Sequence, residues 1–432
     1  MILFYHIVIS FLFLLVLPVL PLVWILSPKR RANLVQRLGI FTSISQKKKS
    51  QYRVWVHALS VGEVTSSVPF VRALKKKMPE AEIVFTASTR TGFETAKKQL
   101  GLESGQGLVS VLGYFPFDLW LSVIRVASRI EPDLICLVET DLWPGFLSIM
   151  KHRGVPVVLI NARLSPRSLK GYQKLGRFSS LFFSGLSHVM AQTAKDAQGF
   201  EQLGVRAQNL SVTGNIKFDQ PCIPMDRQER IRLNQRLGIG VSQRVWLAGS
   251  THKGEEKMVV EAFVRAREIC PDLFLIIAPR NPDRCQKLMA DLPAAGGKPA
   301  LFSDDKDKKQ TADILFIDTL GELSRAYAVC EFAFIGGSLV AKGGHNPLEP
   351  AMFGKPILFG PHMTDFQEVE SLLVAAGGGA RVNQSNDLAR KVMALLEDPA
   401  LANAMAEASQ RVFAENSGAL DRIIEILKGE YL

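Results

Sequence analysis

The sequence is organised around one stretch, IGGSLVAKGGHNPLEP, which runs from Ile335 to Pro350. The apolar run just before it, Phe332 to Ile335, has the pattern of a buried strand, and Asn346 and Pro347 are typical of a helix N-cap and first turn. Strand, glycines and helix start form a common anion-binding arrangement, because glycines let backbone N–H groups approach a phosphate. Glu349 would then accept hydrogen bonds from a ribose. The alternative is a tight turn in which Glu349 only complements the helix dipole.

The length and composition predict two globular domains. The chain has 432 residues, which is more than one hydrophobic core usually serves. Its five cysteines are scattered without a C-x-x-C pair, and its seven histidines show no H-E-x-x-H spacing. This pattern predicts neither a disulfide framework nor a metal site.

The N-terminus carries an almost unbroken apolar run from Ile2 to Leu26. The run is long enough to span a membrane, and basic residues follow it rather than precede it, unlike in a cleaved signal peptide. Seven Lys or Arg residues and no acid lie between Ser27 and Ser50. We therefore expect a single-pass protein of the bacterial inner membrane, with its catalytic domains on the cytoplasmic face and its basic segment on anionic headgroups. Nucleic acid is not an expected partner, because no aromatic-interleaved basic stripe follows.

The rest of the chain alternates short apolar runs with helical patterns, which predicts an α/β fold with two Rossmann-like parallel sheets. The predicted strands of the first sheet are Val54–Ala58, Ile83–Ala87, Val109–Tyr114, Leu134–Val138, Val155–Ile160, Val189–Gln192 and Leu210–Thr213. Those of the second are Val245–Ala248, Leu273–Ala278, Ile314–Ile317, Phe332–Ile335 and Pro356–Phe359. We predict an anchor at 1–27, a basic juxtamembrane segment at 28–50, an N-terminal domain at 51–222 and a C-terminal domain at 223–432.

Polar residues concentrate where the predicted strands end. Glu63 follows the first strand, Glu139 follows the fourth, and Lys217 follows the last strand of the first domain. Ligands of open α/β sheets bind at the carboxyl ends of the strands, so both domains are expected to direct these loops into a central cleft. Taken singly, each carboxylate also fits a helix cap or a surface ion pair. Arg90 and Arg163 fit either a substrate anion or a strand-end ion pair.

Several of these segments, in this order, resemble the bacterial 3-deoxy-D-manno-octulosonic acid (Kdo) transferases. The resemblance rests on Trp55–Val64 (WVHALSVGEV), Gly214–Asp219 (GNIKFD), Pro279–Arg280 and Gly343–Pro350, and it covers essentially the whole chain. It implies a GT-B-type glycosyltransferase with two Rossmann-like domains facing a central cleft and an N-terminal transmembrane helix. It also implies inverting transfer of Kdo from CMP-Kdo to a lipid A precursor, lipid IVA, in lipopolysaccharide core biosynthesis.

The resemblance also implies roles for individual residues. Glu63 is expected to be the general base, with Glu139 and Lys217 stabilising the transition state. The residues expected to hold CMP are Pro279, Arg280, Leu320, Gly321, Glu322, Asn346, Pro347, Leu348 and Glu349. A donor with one phosphate needs little charge neutralisation, so no metal or other cofactor is expected. The D-x-D motif at Asp305–Asp307 is interpreted as solvated surface.

Two alternatives share the strand, glycine and helix pattern. One is another GT-B enzyme that uses a UDP-sugar, either a transferase or an epimerase. The other is a membrane-tethered sugar-nucleotide-binding protein without catalytic activity. The apolar residues Leu34, Val35, Leu38, Ile40 and Phe41 fit two interpretations, an amphipathic segment at the membrane interface or a first helix packed on the N-terminal domain.

Overall fold

The fold is that of a computed structural model, which describes residues 1–16, 28–39, 47, 51–101, 107–219, 225–291 and 297–432. The chain divides into two compact units. Unit 1 comprises Met1–Asp219 together with Ser417–Leu432, and unit 2 comprises Gln220–Asn416. Each unit is built on one parallel β-sheet with helices between its strands.

Unit 1 contains a seven-stranded sheet in the order β3-β2-β1-β4-β5-β6-β7 within the described ranges. The strands are β1 (Arg53–Ala58), β2 (Glu82–Ala87), β3 (Val111–Tyr114), β4 (Leu134–Val138), β5 (Val157–Ala162), β6 (His188–Ala191) and β7 (Leu210–Val212). Its helices are Ile2–Val16, Pro28–Arg37, Val61–Lys77, Arg90–Gln99, Trp120–Ile130, Pro144–His152, Pro166–Lys174, Ser180–Phe183, Ala194–Gln202 and Ala419–Glu430, with 3₁₀ turns at Gly176–Ser179, Ala207–Asn209 and Ile216–Phe218.

The central strands of unit 1 are buried on both faces because helices cover the sheet. Every residue of β1, β4 and β5 is buried, as is usual for parallel strands rich in Val, Ile and Leu. The chain places β2 and β3 on one side of β1 and the later strands on the other. The strand order therefore reverses between β1 and β4, and such a switch point opens a crevice beyond the carboxyl ends of the two strands.

The last helix, Ala419–Glu430, packs into the core of unit 1 rather than that of unit 2. Its Ile423 and Leu427 belong to the same buried cluster as Val54 of β1. Asp219 fixes the entry to this helix, because its carboxylate accepts hydrogen bonds of 2.5 Å from the N–H groups of Gly418 and Leu420. The sequence assigned all of 223–432 to the C-terminal domain. In the structure, Ser417–Leu432 belong to unit 1 instead.

Unit 2 contains a second seven-stranded parallel sheet, again counting described residues, in the order β10-β11-β9-β8-β12-β13-β14. The strands are β8 (Arg244–Thr251), β9 (Leu273–Pro279), β10 (Pro299–Leu301), β11 (Ile314–Phe316), β12 (Phe332–Ile335), β13 (Ile357–Phe359) and β14 (Gly379–Arg381). Its helices are Arg227–Leu237, Glu255–Ile269, Cys285–Ala290, Lys306–Gln310, Leu323–Ala326, Leu348–Met352, Gln367–Ala376, Ser385–Glu397 and Pro399–Asn416, with 3₁₀ turns at Pro282–Arg284 and Thr364–Phe366. Here the switch point lies between β8 and β12.

The prediction of two parallel-sheet α/β units is confirmed, and twelve of the observed strands overlap the predicted ones. The two strands that the sequence did not predict, β10 and β14, are three-residue strands at opposite edges of the second sheet. Their sequences, Pro-Ala-Leu and Gly-Ala-Arg, lack the β-branched runs by which strands are recognised. The predicted boundary, between residues 222 and 223, lies outside the described residues.

The N-terminal apolar run forms a helix at Ile2–Val16, and residues 17–27 of the predicted anchor lie outside the described residues. In the part of the chain that the structure describes, no helix is long and apolar enough to span a bilayer. The following helix, Pro28–Arg37, packs on unit 1. The Arg37 carbonyl accepts a hydrogen bond from Phe117 N, and its guanidinium donates to the Ser88 carbonyl. Ile40 and Phe41 lie outside the described residues.

Candidate active site

Glu63 lies at the switch point of unit 1, in the first turn of the helix that follows β1. Ser60 caps this helix by accepting a hydrogen bond from Glu63 N, and the Glu63 Oε2 atom accepts one of 2.6 Å from Leu59 N. The carboxyl is only 8% exposed. Burial is the main reason that the pKa of Glu63 is raised to about 7; the nearby charges of Glu139 and Asp141 contribute to the rise, and the backbone hydrogen bonds oppose it. At neutral pH this group is therefore poised to accept a proton.

Glu139 and Lys217, which the sequence placed in one site, are neighbours. The Glu139 Oε1 atom lies 3.5 Å from Lys217 Nζ. Glu139 directly follows β4 and has a positive φ of 63°, a left-handed conformation that is uncommon for residues other than glycine and is often found at functional sites. The charge of Glu139 also acts on Glu63. The structure thus brings together the three residues that were predicted to be catalytic.

A buried amide network holds the loop that carries Lys217. Asn161 lies near the end of β5 and, like Glu139, has a positive φ. Its Oδ1 atom accepts a hydrogen bond from Ile216 N. Gln192 donates to the Asn161 carbonyl and accepts from Asn215 Nδ2. Asn215 in turn accepts from Lys217 N at 3.0 Å. Because these hydrogen bonds join the loop to β5 through buried side chains, the network fixes the backbone of Lys217 relative to that strand.

A second buried pair, His57 and Asp141, lies beside Glu63. His57 is in β1 and fully buried, and its Nε2 atom is 2.7 Å from Asp141 Oδ2. The other ring nitrogen, Nδ1, is 3.0 Å from the Thr86 carbonyl, and Phe115 stacks on the ring. The imidazole therefore has little freedom to move. It holds Asp141 where the negative charge of that residue contributes to the raised pKa of Glu63.

In unit 2 the backbone N–H groups of the glycine loop after β12 already bind a carboxylate of the chain itself, that of Glu255. This side chain is fully buried and accepts hydrogen bonds from the N–H groups of Gly337 (2.7 Å), Ser338 (3.0 Å) and Leu339 (2.9 Å). It accepts a fourth, of 2.8 Å, from His252 N. The prediction that the paired glycines bind phosphate through these N–H groups is therefore wrong, because the chain supplies its own carboxylate.

The second half of the loop lies closer to the predicted arrangement. The helix begins at Leu348, one residue later than expected, with Pro347 at the N-cap position and Asn346 Oδ1 accepting from Leu348 N at 3.0 Å. Glu349 lies in its first turn and accepts a 2.6 Å hydrogen bond from Ser324 Oγ. Burial raises the pKa of Glu349, although Ser324 and the charge of Arg280 oppose that rise.

Two other predicted nucleotide-binding segments belong to the same unit. Pro279 is the last residue of β9, and the N–H of the exposed Arg280 donates to the Thr251 carbonyl at the end of β8. The turn Leu320–Glu322 follows β11 and leads into the short helix that carries Ser324. Leu320 is 84% exposed, Gly321 has a positive φ, and Glu322 forms an ion pair with Arg236.

Beside Arg280, two histidines form a contact that the sequence did not predict. His252 follows β8, His345 lies in the loop after β12, and their Nε2 atoms are 2.8 Å apart. Burial lowers the pKa of His345 to about 4, and the charges of Arg280 and His252 contribute to that decrease. Both residues are thus at the switch point of the second sheet.

Nothing in the described residues adds a metal site to these two clusters. No group of three or more His, Cys, Asp or Glu side chains has the arrangement of a metal site in those ranges. In the D-x-D motif, Asp305 caps the helix Lys306–Gln310 by accepting a hydrogen bond of 2.9 Å from Lys308 N. That carboxylate therefore has a structural role.

The functional residues that sequence reasoning missed are His57, Asp141, Glu255, His252 and the Asn161 network. Most of them lie in the last residues of a strand or just beyond it, so their positions at strand ends were a usable signal. Their hydrogen-bond partners could not be predicted from the sequence, because the partners are distant in the chain. Glu255 and Ser338, for example, are 83 residues apart. Conversely, the structure assembles the predicted residues into two separate sets, Glu63 with Glu139 and Lys217 in unit 1, and Arg280 with Glu349 in unit 2.

Comparison with known proteins identifies close sequence relatives. A family model described as 3-deoxy-D-manno-octulosonic-acid transferase (kdotransferase) matches residues 32–220. The chain is similar to the 3-deoxy-D-manno-octulosonic acid transferase of Haemophilus influenzae, with 33% identity over 96% of this chain and 95% of the relative. It is also similar to the transferase of that name from Bordetella pertussis, with 32% identity over 87% of this chain and 86% of the relative.

Among solved structures, the chain resembles a UDP-GlcNAc 2-epimerase from Neisseria meningitidis with a TM-score of 0.55 and 15% identity. The likeness covers 88% of this chain and 100% of the epimerase. At that identity it shows the fold alone, two parallel-sheet α/β units of the kind found in GT-B glycosyltransferases.

Proposed function

The chain belongs to the family of 3-deoxy-D-manno-octulosonic-acid transferases, and we propose that this glycosyltransferase moves Kdo from CMP-Kdo to a hydroxyl of a lipid A precursor, with inversion at the anomeric carbon. The observation that carries the proposal is the setting of Glu63. A buried carboxyl with a pKa of about 7 lies at the switch point of unit 1, among the other residues of the cluster. A general base is most effective when its pKa is close to the working pH.

In the proposed reaction, Glu63 takes the proton of the acceptor hydroxyl as its oxygen forms a bond to the anomeric carbon of Kdo. The bond from that carbon to the phosphate oxygen breaks, and its electron pair leaves with CMP. Inversion follows when the hydroxyl attacks from the face opposite the phosphate. This role needs only that the acceptor hydroxyl reach hydrogen-bonding distance of the Glu63 carboxylate.

Glu139 and Lys217 are assigned to charge stabilisation. Breaking the glycosidic bond gives the sugar ring positive, oxocarbenium-like character, which a carboxylate at Glu139 favours. The Lys217 ammonium, 3.5 Å from Glu139, balances the carboxylate and can interact with negative charge on the donor. The positive φ of Glu139 and the amide network behind Lys217 support a preorganised arrangement, because both hold their residues in one geometry.

The donor is assigned to unit 2, where Arg280, Asn346 and Glu349 surround the switch point. Arg280 suits a phosphate, and the Glu349 carboxylate suits the ribose hydroxyls, since it is partly buried with one oxygen held by Ser324. Because CMP-Kdo carries one phosphate, we propose that these side chains suffice without a metal or another cofactor.

We propose that the acceptor is a lipid at the inner membrane, approached from the cytoplasmic face, and two apolar features of unit 1 suit a lipid. The helix Ile2–Val16 exposes large apolar side chains, and Leu3, Phe4 and Leu15 are each more than 60% exposed. A cavity of about 420 Å³ lies between this helix, the helix Pro28–Arg37, and the segment Phe117–Leu119, and its lining is almost entirely apolar. Its volume is in the range of ligand sites, and each buried methylene of an acyl chain contributes about 0.8 kcal/mol.

The proposal is tested by incubating the full chain, in detergent or vesicles, with CMP-Kdo and lipid IVA and measuring the mass of the lipid. The expected result is a lipid heavier by one or more Kdo residues and release of CMP. Parallel reactions with UDP-sugars distinguish another GT-B activity. Unmodified lipid in the CMP-Kdo reaction would contradict the proposal, and unmodified lipid in every reaction would favour a binding protein.

A further inference from the structure

The contact between His252 and His345 has a place in the fold that points to a ligand. His252 directly follows β8 and His345 lies in the loop after β12, so the pair bridges the two strands at which the sheet order reverses. Ligands of open α/β sheets bind at that position. The rings are nearly parallel, at 4°, and both pack close to Gly337, where an added Cβ would lie 3.1 Å from His345 and 3.4 Å from His252. A larger residue at 337 would therefore displace the pair.

The geometry limits how many protons the pair can hold. A separation of 2.8 Å between two Nε2 atoms requires that one nitrogen carry a proton and donate while the other accepts. With both rings neutral, one outer Nδ1 atom carries a proton and the other does not. One further proton makes both outer nitrogens donors and leaves the central hydrogen bond intact. A second further proton would put N–H against N–H, so the pair can carry a single positive charge.

The groups around His345 disfavour a further proton on that ring while no ligand is bound. Burial lowers the pKa of His345, and the charge of Arg280, which directly follows β9, contributes to that decrease. The neighbouring Glu255 carboxylate accepts hydrogen bonds from four backbone N–H groups, whose dipoles offset part of its negative charge. Asp365 packs against Gly343 on the other side of the loop, and Lys253 and Lys342 are exposed beside the two histidines. An anion bound beside the two rings would favour the protonated form of the pair.

We propose that the His252–His345 pair is an anion-binding element of the donor site, which takes up one proton from solvent when a nucleotide phosphate binds. The inference rests on the proposed function, since it assigns to unit 2 a nucleoside monophosphate. The phosphate of CMP-Kdo is a diester with one negative charge, whereas the CMP that leaves is a monoester with nearly two at neutral pH. A pair that gains a proton therefore binds the departing phosphate more strongly than the intact donor, which favours bond cleavage.

The test is calorimetric titration of the full chain with CMP at pH 7, in buffers that differ in ionisation enthalpy. The number of protons taken up per CMP is compared between the wild type and the variants H252Q and H345Q, with cytidine as the ligand without phosphate. We expect the wild type to take up close to one proton more than either variant, and we expect about tenfold weaker CMP binding in the variants. Cytidine binding should change by less than about twofold, which shows that the loop is intact. His152, exposed on unit 1, supplies the matched control H152Q.

The possible failures are distinguishable. If the wild type binds CMP but its proton uptake equals that of H252Q and H345Q, the role of the pair is refuted and the proposed function stands. If both variants lose cytidine binding as strongly as CMP binding, the pair is a structural support of the loop and not an anion-binding element. If the wild type does not bind CMP, the proposed donor is wrong and this inference falls with it.

Discussion

Replacing Glu63 with glutamine is expected to stabilise the protein at alkaline pH while abolishing its activity. In the folded chain the pKa of Glu63 is raised from 4.5 to about 7. Burial therefore favours the neutral carboxyl, and the folded state is penalised once the group must ionise. The penalty is absent below about pH 4.5, grows as the pH rises, and is complete above about pH 7. A glutamine keeps the shape and can still accept the Leu59 N–H, but it never ionises.

The size of the effect follows from the pKa. Each pH unit between the ordinary and the folded pKa corresponds to about 1.4 kcal/mol, so the penalty approaches about 3 kcal/mol at pH 8. For a unit of this size, about 1 kcal/mol changes the melting temperature by roughly 2–4 °C. We expect E63Q to raise the melting temperature of unit 1 by about 6–12 °C at pH 8 and by only about 2–3 °C at pH 5. Loss of the base is expected to lower kcat by about 10²–10⁴-fold.

The assay is thermal unfolding of the full chain at both pH values, followed by transfer of Kdo to the lipid. The matched control is E80Q, which removes an exposed carboxylate of unit 1 and should leave the melting temperature and activity unchanged. In the wild type, kcat/KM should rise with pH through about 7 and then level off. An equal change in melting temperature at pH 5 and pH 8 would refute the account of the buried charge, and turnover retained by E63Q would refute its assignment as the base.

Three further perturbations test other parts of the structure. E255Q replaces a carboxylate that accepts four N–H groups by an amide whose NH₂ group cannot accept a hydrogen bond. Each N–H left unpaired costs about 1–3 kcal/mol. The affinity for CMP should therefore fall at least tenfold, whereas the exposed control E261Q should bind CMP normally. K217M should lower kcat about 10²–10³-fold with CMP affinity unchanged, and a parallel loss of CMP binding would reassign Lys217. I423A removes buried volume from the C-terminal helix and should destabilise unit 1 by about 2–5 kcal/mol; if unit 2 unfolded earlier instead, the assignment of this helix to unit 1 would be wrong.

The sequence by itself determined the class of fold and the positions of the predicted catalytic residues. Runs such as Leu134–Val138 are apolar throughout, which only a strand buried on both faces of a parallel sheet explains well. Since the carboxyl ends of such strands are where ligands bind, Glu63 and Glu139 could be assigned to a site before their electrostatic interaction was known. These inferences depend on neighbours in the chain, and local patterns carry that information.

Only the tertiary structure decided which groups meet. The glycine loop has the sequence of a phosphate-binding loop, yet Glu255 occupies its N–H groups from a helix 82 residues earlier in the chain. The last helix joins the first unit because Asp219 caps it and Val54 packs near it, more than 190 residues away in sequence. The partners of a buried N–H or an apolar face are set by the strand order and the packing of the layers. The strand order is the one in which the whole chain leaves the fewest polar groups unpaired and the least apolar surface exposed. It therefore cannot be predicted from any single segment.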